Sequence, residues 1–286
     1  MGTGGPPVTV RAATLAGGEK NQDRYAYGDG WAFVLDGASS FATEQPEHDG
    51  GWYAERLKNA LVHELTSHGD DATVDIVARA IEAAASAHLD PKTCPTSTIA
   101  MARWSIETME VYVLGDSTAV LINSCGEQEL TDSRQSDIAP EIRDEYRSRL
   151  ASGHGFDERH RELLQKLQAR QASVRNQPGG YWIAGAHAGA ALQGLTARWP
   201  VTHTAVRVVL ATDGAVAGFS YGSFDGWRSL SMDNLQSTLN AVQRAEAEDA
   251  QASRWPRSKR HDDKTMVVLQ VDPRPSRPLA QPGALR

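Results

Sequence analysis

Apolar and polar positions along this chain alternate or cluster so as to predict a defined order of strands and helices. Val8 to Leu15 alternates and predicts a strand, which Gly17-Gly18 breaks. Asp29-Gly30 is a hairpin turn signal. The continuous apolar run Trp31–Leu35 predicts a buried strand ending at Asp36-Gly37. Gly51 to Ser67 carries Trp52, Leu57, Leu61, Val62 and Leu65 at helical spacing, and alanine-rich Asp71 to His88 places Val74, Ile76, Val77 and Ile81 on one side. Two successive helices follow from this, the second stopping at Pro91.

Three strands are predicted next, over Ser97–Trp104, Met109–Leu114 and Ala119–Ile122, with turns at Glu107-Thr108 and Gly115-Asp116-Ser117. Pro140 to Gln177 is strongly charged with a thin apolar stripe of Leu163, Leu164 and Leu167, which predicts solvated helices. Val201 to Ala211 predicts a strand leading into Thr212-Asp213-Gly214, Trp227 to Ala250 a long helix, and Thr265 to Val271 a last strand. Strands joined by tight turns pair antiparallel, with helices grouped outside. The expected fold class is α+β: a central antiparallel β-sandwich flanked by helices, in α-β-β-α layers. One domain is expected over 8–271, with a helical insertion or flap at about 134–194. Residues 1–7 read as a flexible leader and 272–286, with four prolines, as an extended tail.

Composition narrows the function classes. A formal net charge of −7 gives no broad basic surface, so nucleic acid is not an expected partner. No run approaches the roughly 20 apolar residues of a membrane span. Two cysteines, Cys94 and Cys125, form no Cys-x-x-Cys pair and suit a reducing compartment, so a cytoplasmic monomer is the expectation.

The informative chemistry lies in five aspartates, each in a turn beside an apolar run: Asp23, Asp36, Asp116, Asp213 and Asp262. Acids delivered by strands to one place would repel one another and demand a cation. Oxygen-only ligands select hard ions such as Mg²⁺ or Mn²⁺. Two such ions about 3.5–4 Å apart can activate water and neutralise a transferred phosphoryl group. Each turn taken alone is also an ordinary use of Asp or Asp-Gly; the recurrence of strand–Asp–Gly at 36–37 and 213–214 is what points to a site. Of the neighbouring acids Asp262 and Asp263, only one need face inward.

In order along the chain, Asn21-Gln22-Asp23, Asp36-Gly37, Gly115-Asp116-Ser117-Thr118, Thr212-Asp213-Gly214 and Asp262-Asp263-Lys264-Thr265 resemble the motifs of the metal-dependent protein phosphatases of type 2C, the PPM family. The resemblance implies a phosphoserine/phosphothreonine protein phosphatase using two Mn²⁺ or Mg²⁺ ions, with room for a third, and a metal-bound hydroxide attacking phosphorus in line. It implies that Asp36 bridges the ions with the Gly37 carbonyl beside it, that Asp213 and Asp262 complete the shell, that Asp23 contributes directly or through water, and that Asp116 serves a looser third ion. The catalytic set is then Asp36, Asp213 and Asp262.

Several positions depart from the family pattern. Gln22 replaces an acid, Thr118 an Arg, and Asp263 a typical Asn. Gly18 stands where many members carry a phosphate-binding Arg, leaving nearby Lys20 to supply a point charge. Two other classes stay open: a non-catalytic phosphatase-like binding module, and a phosphatase of a small phosphorylated metabolite. His261 could tune Asp262 or donate a proton. The insertion's Arg143, Arg147, Arg149, Arg159, Arg161 and Arg170 read as a charged surface ahead of a recognition surface, because acids are interleaved with them.

Overall fold

The computed structural model describes residues 8–38, 48–85, 89–91, 93–105, 107–201 and 206–271. The expected leader 1–7, the tail 272–286 and His203 lie outside them. Among the described residues, the strands form two five-stranded antiparallel sheets. One runs in the order β1 (Val8–Leu15), β10 (Lys264–Val271), β9 (Val206–Ala211), β6 (Thr118–Asn123), β7 (Gly126–Thr131). The other runs β2 (Arg24–Gly28), β3 (Trp31–Leu35), β4 (Ile99–Trp104), β5 (Thr108–Leu114), β8 (Leu195–Pro200).

Period-two alternation explains the layering. Ala32, Val34, Ala100, Ala102, Val111 and Val113 face Ala119, Leu121, Val208, Leu210, Val267 and Leu269 across the sandwich. The opposite face of the β3–β4–β5 sheet offers Phe33, Leu35, Ile99, Met101 and Tyr112 to helices α1 (Gly50–Ser67) and α2 (Thr73–Ala84). The outer face of the other sheet offers Val120, Val209, Met266 and Val268 to α6 (Leu235–Glu248), through Leu235 and Leu239. Covered on both faces, β3 is buried at all five residues, which is why it reads as an unbroken apolar run. The expected α-β-β-α layers are present.

Asp29-Gly30 forms the two-residue loop of the β2–β3 hairpin, with Gly28 opposite Trp31 and Gly30 at φ +80°. Strands β7 and β8 are additions to the expected order. Both are sheet edges, and β7, Gly-Glu-Gln-Glu-Leu-Thr, has no buried residue, so it carries no apolar signal. The last helix begins later than expected, at Leu235, because Trp227–Ser229 makes a separate 3-10 turn. The charged insertion folds as α3 (Pro140–Ala151) and α4 (Glu158–Val174), packed on a small core of Tyr146, Leu150, Leu163, Leu164 and Leu167. Ala252, beyond α6, belongs to the same core and ties the insertion to the body.

Candidate active site

The two sheets bring their turns to one end. Asp36 follows β3, while Asp23 precedes β2, whose Arg24 lies opposite Leu35. Asp213 follows β9 as the first residue of the single-turn helix α5 (Asp213–Val216), and Asp262 precedes β10, with Ala211 and Met266 in register. Thr118, which also pairs with Ala211, opens β6 just after Asp116 in the turn that crosses between the sheets. Antiparallel alternation therefore places all five aspartates at the same end of the sandwich. Asp36, Asp116, Asp213 and Asp262 line one cleft of about 370 Å³. Asp23 sits behind it, 4% exposed.

Glycine makes the approach of these turns possible. A Cβ on Gly214 would meet the Asp263 carbonyl oxygen at 2.1 Å and the Asp262 Cβ at 3.0 Å. One on Gly37 would meet the Gly50 carbonyl at 2.5 Å and the Gln22 oxygen at 2.8 Å. Neither glycine has positive φ. The Asp-Gly turns are thus required for backbone contact, not for a left-handed conformation.

The cleft is electrostatically loaded. Withdrawal from solvent, followed by the charges of Asp213, Asp23 and Asp262, raises the Asp36 carboxyl well above its ordinary range; Lys259 opposes this. Desolvation and Asp262 raise Asp213, against a hydrogen bond with Asp36. Asp116 is pushed up to about 7, by desolvation first and then by Asp213. Burial drives Asp23 up to about 8, despite hydrogen bonds from Thr212 and Thr265. Its Oδ2 accepts from Thr212 Oγ1 at 2.8 Å, and its Oδ1 is buried with no hydrogen-bond partner. An orphaned carboxylate oxygen inside an acidic cluster is where a cation belongs.

Of the adjacent acids, Asp262 faces the cleft. Asp263 turns away and accepts the Gly17 N–H at 2.7 Å and the Gln22 N–H at 2.8 Å, pinning the 17–22 segment. Three expectations need correction. Lys20 is not among the residues that line the cleft; it lines an adjoining recess with Asn21, Gln22, Trp52 and Glu55. His261 turns its Nδ1 toward Glu246 Oε2 at 3.0 Å and is not among the residues that line the cleft. The insertion is more than a charged surface: Arg143 and Tyr146 of α3, Leu164, Gln168 and Gln171 of α4, and Arg175 beyond it form one wall of the cleft. Of the six arginines read as a charged surface ahead of a recognition surface, Arg143 is the one on that wall, whereas Arg149 pairs with Asp157 and Arg159 with Glu145 and Glu162.

Sequence reasoning missed Lys259. Its ammonium donates to Asp262 Oδ1 at 2.5 Å, three residues away. Burial alone would lower its pKa, but Asp262, Asp36 and Asp213 outweigh burial and hold it above the ordinary lysine range. The available signal was the basic run Arg257-Ser258-Lys259-Arg260 immediately ahead of the acidic pair. Among the described residues, no three His, Cys, Asp or Glu side chains meet closely enough to grasp one ion as they stand.

The chain shares the PPM-type serine/threonine phosphatase fold. The catalytic domain of the phosphatase PstP in complex with two manganese ions superposes with a TM-score of 0.51 at 15% identity, over 93% of this chain and 99% of that one. MsPP, a PPM Ser-Thr phosphatase from Mycobacterium smegmatis in complex with cacodylate, gives 0.51 at 15%, over 92% and 98%. A bacterial serine phosphatase gives 0.55 at 12%, over 94% and 100%. No protein-family model matches the sequence, and no curated protein sequence matches it. No helix among the described residues is long and apolar enough to cross a membrane.

Proposed function

We propose that this chain is a Mn²⁺- or Mg²⁺-dependent phosphomonoester hydrolase acting on phosphoserine and phosphothreonine in proteins. The observation that carries this reading is the gathering of Asp36, Asp116, Asp213 and Asp262 in one cleft, with Asp23 behind them, on the fold of PstP and MsPP. The donor set suits hard divalent ions: it is all oxygen, its carboxylates repel one another, and one buried Asp23 oxygen lacks a partner. Asp36, Asp213 and Asp262 would hold two ions, supported by Asp23 and the Gly37 carbonyl, with Asp116 toward a third.

Bound ions would supply Lewis acidity to water and to the phosphoryl oxygens. The protein's own groups do the rest. Thr212 fixes Asp23, and Thr265 N–H in turn fixes Thr212 Oγ1 at 2.9 Å. With Lys20 in another recess, we assign the reception of the phosphoprotein to the insertion wall, where Arg143 offers a guanidinium close enough to Asp116 to oppose part of the rise that burial and Asp213 impose on its carboxyl. A cytoplasmic setting accords with Cys94 and Cys125, both free thiols.

The test is p-nitrophenyl phosphate turnover with Mn²⁺, then with excess chelator, followed by phosphopeptides against small phosphate esters. Turnover that chelator abolishes, with phosphopeptides preferred, is the expected result; preference for the small esters would make it a metabolite phosphatase. A second reading, a non-catalytic binding module, is favoured by one observation, the ammonium of Lys259 resting on Asp262. Tight Mn²⁺ binding without turnover would establish that reading instead.

A further inference from the structure

Lys259 is held in place by its neighbours, not by its own flexibility. Arg257 is clamped to the end of α6: its guanidinium donates to the Asp249 carboxylate at 2.9 Å, the Asp249 carbonyl at 2.7 Å and the Glu246 carbonyl at 2.9 Å. The Ser258 carbonyl lies 3.0 Å from His160 Nε2 of α4. On the other side, His261 meets Glu246, and Lys264, fully buried, donates to Glu246 Oε2 at 2.8 Å and to the Asp262 carbonyl at 2.6 Å. With both flanks fixed, Ser258 and Lys259 are the residues of this stretch that line the cleft before Asp262. The Lys259 ammonium then lands on Asp262 Oδ1 at 2.5 Å, in the cleft that Asp36 and Asp213 also line.

A monovalent cation built into the chain at this point does part of what a divalent ion would do. It neutralises Asp262 and removes one oxygen from the pool of metal donors. An incoming ion at Asp262 must displace an ammonium that is covalently present at high effective concentration, and must then tolerate a positive charge nearby.

We infer that Lys259 is an internal counter-cation of the carboxylate cluster, and that the site fills completely with divalent ions only by exchange with its ammonium at Asp262. This rests on the metal-binding reading above. It predicts a stepwise site, in which one ion binds without disturbing Lys259 and the ion at Asp262 binds more weakly than its ligands alone would allow.

The test is Mn²⁺ titration by calorimetry on the full chain, comparing wild type with Lys259→Met and Lys259→Arg. Lys259→Met is expected to bind its weakest Mn²⁺ about tenfold tighter, or to take up one more ion per chain, on Coulombic grounds. Lys259→Arg, which keeps the charge, should stay nearer to wild type than to Lys259→Met. Wild type and Lys259→Met binding the same number of ions with affinities within about twofold would overturn the inference while leaving the metal site standing. No Mn²⁺ binding by either protein would remove the metal reading and this inference together. Because Lys259→Met leaves three acids without their cation, the wild-type chain provides an independent readout. Acylation of Lys259 by an amine-directed reagent, followed by mass spectrometry, should be slow in metal-free protein and rise several-fold on saturation with Mn²⁺. An unchanged labelling rate would overturn the exchange.

Discussion

Replacing Asp263 by asparagine isolates the contact that positions the first acidic segment. Both Asp263 oxygens are used: Oδ1 accepts from Gly17 and Oδ2 from Gln22, and the residue is 8% exposed. Asparagine has the same shape but one acceptor, so its NH₂ group faces a backbone N–H that has lost this partner. A hydrogen bond to a charged group is worth about 1.5–3 kcal/mol, and that is the expected loss. An opposing effect must be weighed. Asp263 repels Asp23, and neutralising it relieves that repulsion. With Asp23 raised to about 8, it is mostly protonated at pH 6 and there is little repulsion to relieve. The penalty of Asp263→Asn should therefore be full at pH 6 and smaller at pH 9. Urea denaturation of chelated protein, followed by tryptophan fluorescence, measures this at both pH values, and Asp263→Ala should cost more than Asp263→Asn. In thermal melts the pH 6 loss corresponds to a fall of roughly 3–12 °C. A variant within about 0.5 kcal/mol of wild type at pH 6, or a penalty that grows toward pH 9, would refute the assignment.

Gly214→Ala should cost about 1–3 kcal/mol and weaken Mn²⁺ binding, because its Cβ meets the Asp263 carbonyl at 2.1 Å; Gly18→Ala, with nothing within 4 Å, is the matched control and should be neutral in the same denaturation and calorimetry experiments. In chelated protein the raised Asp23, Asp36, Asp116 and Asp213 bind more protons folded than unfolded, so their contribution to stability is full below about pH 4 and is lost as pH rises toward 7–8. Melting temperatures without metal should fall over that window, and the gain on adding Mn²⁺ should be larger at pH 8 than at pH 6. Lys264→Met leaves Glu246 buried without its ammonium and should cost about 3–5 kcal/mol, whereas the double variant Lys264→Met/Glu246→Leu should recover much of the loss in the same urea experiment.

Apolar periodicity revealed the interior strands, because burial on both faces leaves an unbroken run as in Trp31–Leu35 or alternation as in Val206–Leu210. It also revealed α1 and α2, whose stripes meet a sheet. Edge strands β7 and β8 escaped, since a strand paired on one side has few positions that must be apolar. Local grammar also found the acids. A strand that ends at the rim of a sandwich needs a turn, and Asp-Gly supplies both the turn and the carboxylate.

What the sequence determined by itself is therefore the layered α+β plan and the identity of Asp23, Asp36, Asp116, Asp213 and Asp262 as turn residues. Only the tertiary structure decided that these turns share one end, that Asp262 and not Asp263 faces the cleft, that Lys20 lies elsewhere, and that Lys259 rests on Asp262. The physical reason is range. Turn chemistry and apolar period act over a few residues and are written locally. Which side chain neutralises which depends on strand register and on how the segment after α6 is clamped, through contacts such as His160 to Ser258 that join residues 98 positions apart.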